Sequence, residues 1–362
     1  IGKIYTMIGN KPVEVSELFA GDIGAIAKLS NTKTGDTLSA KGTPVLYGRT
    51  EYSKPYTYMK YIVKNKGDED KVSQALQKMM AEDVTLRAVN DSENRQTLLY
   101  GMGDQHLEIV ASKLAARFKC EITLDTPRVA FRETIKKKSD VDTKYKKQSG
   151  GHGQYGHVKM KFEPSGDLES PYVFEEVVVG GAVPKNYFPA VEKGLQDSVQ
   201  KGPLAGYPVV GVKAILYDGS YHPVDSSEMA FKTATVQAFK KGFMEAGPVL
   251  LEPIASIKVI VPEDYTGDVM GDLNKRRGRV LGMNPIAGGY QEIVADIPMT
   301  GLFGYCTILR SMTGGRGTYS YEFARYEQAP SDVQEAEIAK RAAEDRKSTR
   351  LNSSHLRIAY AL

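Results

Sequence analysis

Residues 56–124 read YTYMKYIVKNKGDEDKVSQALQKMMAEDVTLRAVNDSENRQTLLYGMGDQHLEIVASKLAARFKCEITL, and this stretch decides the fold. Tyr58 to Val63 is rich in aromatic and β-branched residues and predicts a strand. Asp68 to Glu82 follows, with Val72, Ala75, Leu76 and Met79 at the i, i+3, i+4, i+7 spacing of one helix face. Val84 to Val89 and Gln96 to Tyr100 predict two strands joined by the polar turn Asn90 to Arg95. Asp104 to Phe118 predicts a second helix, with Leu107, Val110, Ala111 and Leu114 on one face, and Cys120 to Leu124 predicts a closing strand. The order β-α-β-β-α-β is the ferredoxin-like split unit.

Working outward, the same order recurs near the end of the chain. Strand Ile254 to Val261, helix Asp264 to Asn274, strands Val280 to Met283 and Tyr290 to Ile297, helix Gly301 to Ser311 and strand Thr318 to Tyr326 repeat the architecture. Before the first unit, Ile1 to about Gly48 reads as short strands between turn signals at Gly9-Asn10, Gly21-Asp22, Thr34-Gly35-Asp36 and Lys41-Gly42, with Ile1 to Tyr5 already a strand. This predicts part of a β-barrel, truncated at its start.

Between the two units, Pro127 to Pro253 carries two glycine-rich turns, Gln148 to Gly156 and Asp218 to Ser226. Strand His157 to Phe162, helix Phe188 to Lys201, strand Val209 to Tyr217 and helix Ser227 to Glu245 are predicted around them. In the last helix Met229, Thr233, Val236, Ala238 and Phe243 are available for burial. Because both turns adjoin strands, they are expected at one end of a small sheet.

Composition narrows the function classes. Apolar residues make up 41% of the 362 and charged residues 25%, ordinary for a globular protein of two to three domains. The longest apolar run, Val249 to Val261, is interrupted by Glu252, Pro253 and Lys258, so no membrane span is expected. Cys120 and Cys306 form neither a disulfide framework nor a C-x-x-C pair, which suits a reducing, cytoplasmic setting. Neither an initiator methionine, a signal peptide nor a transit segment precedes Ile1, so the chain is expected to start inside a longer protein. The net charge is only +4, but Phe131 to Phe162 holds nine Lys/Arg against three acids, leaving −2 for the remainder. Such a window is either the footprint of a polyanionic partner or a solvated lysine-rich loop. Lys144, Lys146 and Lys147 are its candidate phosphate contacts.

Gly151 to Gly156 satisfies G-x-G-x-x-G by letter, but a strand pattern follows it where a dinucleotide site needs a helix. No G-x-x-x-x-G-K-[ST] sequence occurs, so nucleotide hydrolysis by this polypeptide is not expected. His152 and His157 are too few for a metal site. Ser226, His222 and Asp225 spell a nucleophilic triad only because polar turns offer such letters. Lys275-Arg276-Arg277-Gly278-Arg279 ends a predicted helix. Its cations complement the helix dipole with Gly278 as cap, or, with Arg310 and Arg316, form a second phosphate patch; capping would leave the side chains free for both.

The motifs TGDTL at 34–38, GMGDQHL at 101–107, QSGGHGQYGH at 148–157, DGSYHPVDSSE at 218–228, GDVMGDLN at 267–274 and LRSMT at 309–313 occur in one order. In that order they resemble the bacterial elongation factor G family of translational GTPases, over about Ile1 to Glu344. The resemblance implies a multidomain α+β protein. The end of domain II (1–50, a truncated barrel) would precede ferredoxin-like domain III (51–126) and domain IV (127–253), an α+β arm of ribosomal-protein-like fold. Ferredoxin-like domain V (254–330) and a C-terminal helix (331–346) would follow. The family's G domain, with its GTP and Mg2+, has no counterpart here, so no cofactor and no catalytic residue is expected in this chain, and no metal.

By resemblance the first tip loop is Gln148, Ser149, Gly150, Gly151, His152, Gly153 and Gln154, and the second is Tyr221 to Asp225, with Tyr221, His222, Val224 and Asp225 as contacts. These loops would meet the tRNA–mRNA in the ribosomal A site, and the partners would be the rRNA of both subunits, with the protein a monomer. The implied function is GTP-dependent translocation. Two departures, His152 where the family has Arg in GGRGQYG and Gly314 where it has Gln in TQGRG, resemble instead an elongation-factor-G-like subgroup. That leaves ribosome disassembly, or a GTP-independent RNA-binding or ribosome-protection module, as alternative readings. Residues 347–362 (KSTRLNSSHLRIAYAL) have no family counterpart and resemble a non-native tail.

Overall fold

The computed structural model describes residues 2–148 and 153–344. The chain forms two units, Ile1–Pro127 and Arg128–Leu362.

The first unit opens with the hairpin of β1 (Ile4–Ile8) and β2 (Lys11–Val15), to which β3 (Ala25–Ile26) adds on the other side of β1. The hairpin turns at Gly9, where φ is +61°. Its first strand begins at Ile4, the partner of Val15, rather than at Ile1. Among the described residues before Thr57 there is this three-stranded sheet and no closed barrel, and Ile23 and Leu46 lie exposed.

Then come β4 (Thr57–Val63), α1 (Glu69–Glu82), β5 (Arg87–Asp91), β6 (Gln96–Gly101), α2 (Asp104–Phe118) and β7 (Ile122–Asp125). The antiparallel order β5-β6-β4-β7 is that of the expected βαββαβ unit. Val72, Leu76 and Met79 of α1 and Leu107, Val110 and Leu114 of α2 pack with Leu99 of the sheet in one core. The second strand starts at Arg87, three residues later than the pattern predicts. Asp83 Oδ1 accepts from Thr85 N and Oγ1, and Asp83 O accepts from Leu86 N, so 83–86 is held as a turn.

The second unit begins with β8 (Arg132–Ile135), β9 (Ser139–Lys147), β10 (Gln154–Pro164), β11 (Tyr172–Glu176), α3 (Phe188–Val199), β12 (Val212–Ser220) and α4 (Glu228–Glu245). Their sheet runs β11-β12-β10-β9. Much of the basic window is therefore strand, not a lysine-rich loop. Val141, Thr143 and Tyr145 alternate with exposed Asp142, Lys144 and Lys146, the period-2 pattern of a half-buried strand. Helix α4 also departs from expectation. Met229 is 62% exposed and Val236 exposed, while Ala230, Phe231, Ala234, Thr235, Ala238, Phe239, Gly242 and Phe243 are buried. The helix packs against both α3 and the sheet, so its contact face favours small residues that allow close approach, with phenylalanines filling the gaps. Ser227 caps it by accepting from Ala230 N.

The repeat follows as β13 (Pro248–Pro262), α5 (Thr266–Lys275), β14 (Arg279–Ile286), β15 (Tyr290–Pro298), α6 (Tyr305–Met312) and β16 (Thr318–Gln328). Its order β14-β15-β13-β16 reproduces that of the first βαββαβ unit. Strand β13 starts six residues before the predicted Ile254, because Pro248 to Leu251 pair with β8 before the rest pairs with β15 and β16. Residues 331–344 are helical. Among the described residues no helix is long and apolar enough to cross a membrane.

Gly156 sets how close α4 comes to β10: a Cβ there would stand 2.5 Å from Ala230 O. Gly156→Ala is expected to lower stability by about 1–3 kcal/mol through overpacking. The exposed control Lys144→Ala should stay within about 0.5 kcal/mol. Urea midpoints at constant m-value check both.

Candidate nucleic-acid interface

Strands β9 and β10 form a hairpin whose last pair is Lys147 with Gln154. Gln148 is the last described residue before the turn; Ser149, Gly150, Gly151 and His152 lie outside the described residues. On the far side, Gly153 N donates to Asp225 Oδ1 at 3.0 Å and Tyr155 N to Asp225 O at 2.8 Å. Ser226 Oγ donates to Tyr155 O at 3.0 Å. The two glycine-rich turns thus meet at one end of the sheet, tied to each other rather than merely adjacent.

The second loop is closed on its own histidine. His222 N donates to Ser226 Oγ at 2.8 Å, and His222 Nδ1 accepts from Asp225 N at 3.1 Å and Val224 N at 3.4 Å. Although Pro223 restricts the backbone of His222 to extended conformations, the ring folds inward over two backbone amides. A ring accepting at Nδ1 carries its proton on Nε2, so the 3.5 Å approach of Asp225 Oδ2 to Nδ1 is not an ion pair in this tautomer. His222 is half-exposed, Tyr221 is exposed, and Val224 is 64% exposed. Ser226 Oγ serves backbone groups and not the imidazole, so no Ser226–His222–Asp225 triad forms.

The cations divide by position. Along the strands, Lys138 pairs with Glu163 at 2.6 Å, Lys159 with Asp218 at 2.8 Å and Lys161 with Asp140 at 4.0 Å. The Lys159 hydrogen bond holds the Asp218 carboxyl below its ordinary range. Beside the loops, exposed Lys144, Lys146 and Lys147 enter no ion pair among the described residues. Tyr145 OH donates to Gln154 Oε1 across the hairpin at 3.1 Å, keeping the lysine-bearing strand in register with the loop.

The second expected patch is built differently. Arg276 Nε bonds Asp272 Oδ2 at 2.7 Å and its Nη1 donates to Gly301 O at 2.8 Å, with the guanidinium over the Tyr305 ring. Arg277 is paired through both Nη atoms to Glu252, which is buried. Arg316 Nη2 donates to Tyr265 OH at 2.9 Å. Arg276, Arg277 and Arg316, expected to keep free side chains, are therefore engaged. The cap is also displaced: Arg277 holds the left-handed position at φ +65°, Arg277 N donates to Asn274 O, and Gly278 N donates to Leu273 O at 2.7 Å. This is a Schellman ending with Arg at its left-handed position and Gly278 one residue beyond.

The run Gly151 to Gly156 leads into β10 rather than a helix, and the space beyond Gly156 is filled by Ala230. These residues do not fit a nucleotide phosphate. Among the described residues no three His, Cys, Asp or Glu side chains converge to hold a metal.

Against this geometry, family models match three consecutive segments. Elongation Factor G, domain III matches residues 53–126, Elongation factor G, domain IV matches 127–259, and Elongation factor G C-terminus matches 249–337. The chain belongs to the elongation factor G family. A crystal structure of a protein from Thermus thermophilus superposes with a TM-score of 0.76 at 38% identity, covering 94% of this chain and 51% of that one. The chain thus spans about half the length of that relative. In family terms, the joined loops are the end of domain IV, and Arg276 and Arg277 belong to the C-terminal domain.

One constellation in domain IV was not foreseen: Asp142, His157, Ser220 and Tyr155 are hydrogen-bonded in series beneath the loops. Alternation along β10 puts Tyr155 and His157 on one face, but their serine is set by the pairing register of β12, which no local pattern shows.

Removing the Arg277 guanidinium would strand a buried carboxylate. Arg277→Ala is expected to cost about 3 kcal/mol, whereas Lys146→Ala should be near neutral. Equal effects of the two in chemical denaturation would contradict this division of the cations. The Tyr217 hydroxyl donates to Asp140 at 2.7 Å, and that hydrogen bond with burial pushes the phenol up to about 12. Its stabilising contribution is present below the unfolded value near ~10 and is lost as pH rises through the folded one. In Asp140→Asn the Tyr217 ring signal should titrate nearer its ordinary value in NMR of ring-labelled protein.

Proposed function

We propose that this chain is the ribosome-engaging part of an elongation factor G-type translation factor, whose domain IV loops enter the A site and contact tRNA–mRNA during translocation. The observation that carries this reading is the end of domain IV. Two loops joined through Asp225 and Ser226 stand beside three lysines that no carboxylate neutralises among the described residues. Family membership supports engagement of the ribosome in general.

The chemistry of these residues suits an RNA backbone. Lys144, Lys146 and Lys147 supply charge to phosphates, and release of counterions makes such binding salt-dependent. His222 offers Nε2–H to a phosphate or a 2′-hydroxyl while its other nitrogen keeps the loop closed. Exposed Tyr221 and Val224 offer surfaces for a base or ribose. Gln148, Gly153 and Gln154 present the flank of the first loop, and Ser149, Gly150, Gly151 and His152, which complete its motif in sequence, are included in the proposed contact. GTP and Mg2+ act, in this proposal, through the family's G domain and not through these residues. The protein works as a monomer in the cytoplasm.

Binding of the full chain to small ribosomal subunits, measured across salt concentrations, tests the reading. Replacing Lys144, Lys146 and Lys147 together by Ala is expected to reduce the slope of log K against log salt by about 2, at ~0.7 per phosphate contact with single strands. An unchanged slope would remove these lysines from the interface. In the protein carrying its G domain, His222→Ala should slow tRNA–mRNA movement while ribosome-stimulated GTP hydrolysis stays near normal. Unchanged movement would sink the His222 contact.

A further inference from the structure

Four side chains from three strands are joined end to end beneath the domain IV loops. His157 on β10 is 5% exposed and lies on the opposite face from the core residues Val158 and Met160. Its Nε2 is 2.8 Å from Asp142 Oδ1 on β9, and its Nδ1 is 2.7 Å from Ser220 Oγ at the end of β12. The same Oγ is 2.7 Å from Tyr155 OH. The carboxylate of Asp142 only accepts, so Nε2 donates to it. With a neutral ring Nδ1 accepts from Ser220, which then accepts from Tyr155; with an imidazolium Nδ1 donates to Ser220 instead, and in both states the four side chains stay joined. The order carboxylate, imidazole, hydroxyl is that of a nucleophilic relay, but here Ser220 Oγ is also held by the phenol and lies within a strand ladder.

The register explains what the series does. Between β10 and β12, Lys159 pairs with Asp218 but Met160 pairs with Leu216, so Tyr217 is an extra residue on β12. Only three pairs lie on the loop side of that bulge: Lys159 with Asp218, Val158 with Gly219, and His157 with Ser220. A one-residue slip there would reverse the facing of Ser220 and carry the second loop with it. Tyr155 links the same geometry to both loops, because its N donates to Asp225 O, its carbonyl accepts from Ser226 Oγ, and its ring lies 6.3 Å from that of His222.

We propose that His157 is a positioning residue: through Asp142, Ser220 and Tyr155 it fixes the β10–β12 register beyond the bulge and so holds the two loops in the arrangement that RNA meets. Its value for binding rests on reading those loops as the RNA-contacting end; its effect on loop geometry does not.

The test follows amide hydrogen exchange in the full chain together with its affinity for small ribosomal subunits. His157→Leu keeps apolar bulk and removes both hydrogen bonds. It should speed exchange at the Gly153 and Tyr155 amides by about tenfold or more, while the Ile257 and Val259 amides in β13 stay as in the wild type. Subunit affinity should fall alongside. Ser220→Ala, a smaller change, should loosen the same amides. His157→Gln retains a donor for Asp142 and an acceptor for Ser220, and should restore most of the protection. Unchanged exchange in both His157→Leu and Ser220→Ala would overturn the proposal, as would a Gln variant no better than Leu, since restoring the two hydrogen bonds would then restore nothing. A wild-type chain that fails to bind subunits while His157→Leu still loosens the loops would overturn the RNA reading and leave the positioning role standing.

Discussion

One backbone ladder, β13, carries domain IV into the C-terminal domain. Its first four residues pair with β8, and its remainder pairs with β15 and β16, so the two domains share a fifteen-residue strand instead of a linker. Pro253 lies within it, and the pairing with β16 shifts register between Ile254 and Ala255. Proline removes a donor from a ladder and is tolerated at such irregularities. The joint is reinforced from three sides. Glu252 of β13 is buried against Arg277. Glu133 of β8 accepts from the backbone N–H groups of Leu204, Ala205 and Tyr207. Burial pushes its carboxyl up even though those hydrogen bonds favour the charge. The helical residues 331–344 close the third side: Gln334 Oε1 accepts from Leu250 N, Tyr207 OH donates to Glu337, and Arg341 covers the Tyr207 ring. Bending here would break ladder bonds and expose the small core of Phe131, Tyr207, Leu250 and Ala329. The ladder also supports β8, from which the chain runs through Lys136 and Lys137 into β9 and on to the loops.

The charge distribution follows from that layout. Along the β9–β10–β12 face, carboxylates and lysines pair across strands and neutralise one another, so this part of domain IV presents little net field. Cross-strand pairs of opposite charge stabilise a sheet modestly and are screened by salt. Towards the loops the carboxylates stop while the lysines continue. A window that is simply basic in sequence becomes, in three dimensions, a neutral shaft with a positive end. Asp225 is the acidic residue at that end, and its carboxylate and carbonyl are turned to Gly153 N and Tyr155 N.

Much of this was legible in the sequence, for physical reasons. In the first βαββαβ unit the helices carry a clean apolar stripe on one face, so α2 falls on its predicted bounds, Asp104–Phe118. Helix α4 was legible in extent but not in facing, because a helix packed against two neighbours buries alanine and glycine, and the larger Met229 and Val236 misstate its phase. Strand β9 was hidden by its lysines: charge dominated a stretch whose inward residues are Val141, Thr143 and Tyr145. At the loop end of the sheet, the meeting of the two loops followed from their positions at strand ends. The Asp142–His157–Ser220–Tyr155 series did not, since it depends on a single bulge residue in β12. The arginines of α5 were legible as a cluster but not as partners, because Asp272 is a helical turn away while Glu252 is on another strand.

The two helices of the C-terminal domain bear on the family departures. Helix α6 ends with Gly314 at φ +57°, and Gly315 N donates to Arg310 O at 2.7 Å, the ending that α5 makes with Arg277 at φ +65°. A side chain in the left-handed region costs roughly 1–2 kcal/mol, which glycine avoids. Gly314, where the motif it resembles has Gln, is therefore accounted for by the backbone of one helix ending. His152, where the motif it resembles has Arg, is a different matter, because the two side chains differ in charge and donors. Arginine stays protonated and offers five donors in a fixed fork, whereas an ordinary imidazole is mostly neutral at pH 7 and offers one. At the level of sequence, histidine here carries no fixed positive charge where the motif it resembles carries one. On the RNA contact proposed above, the fixed positive charge beside the loops is then that of Lys144, Lys146 and Lys147, which β9 carries there with no ion-pair partner among the described residues.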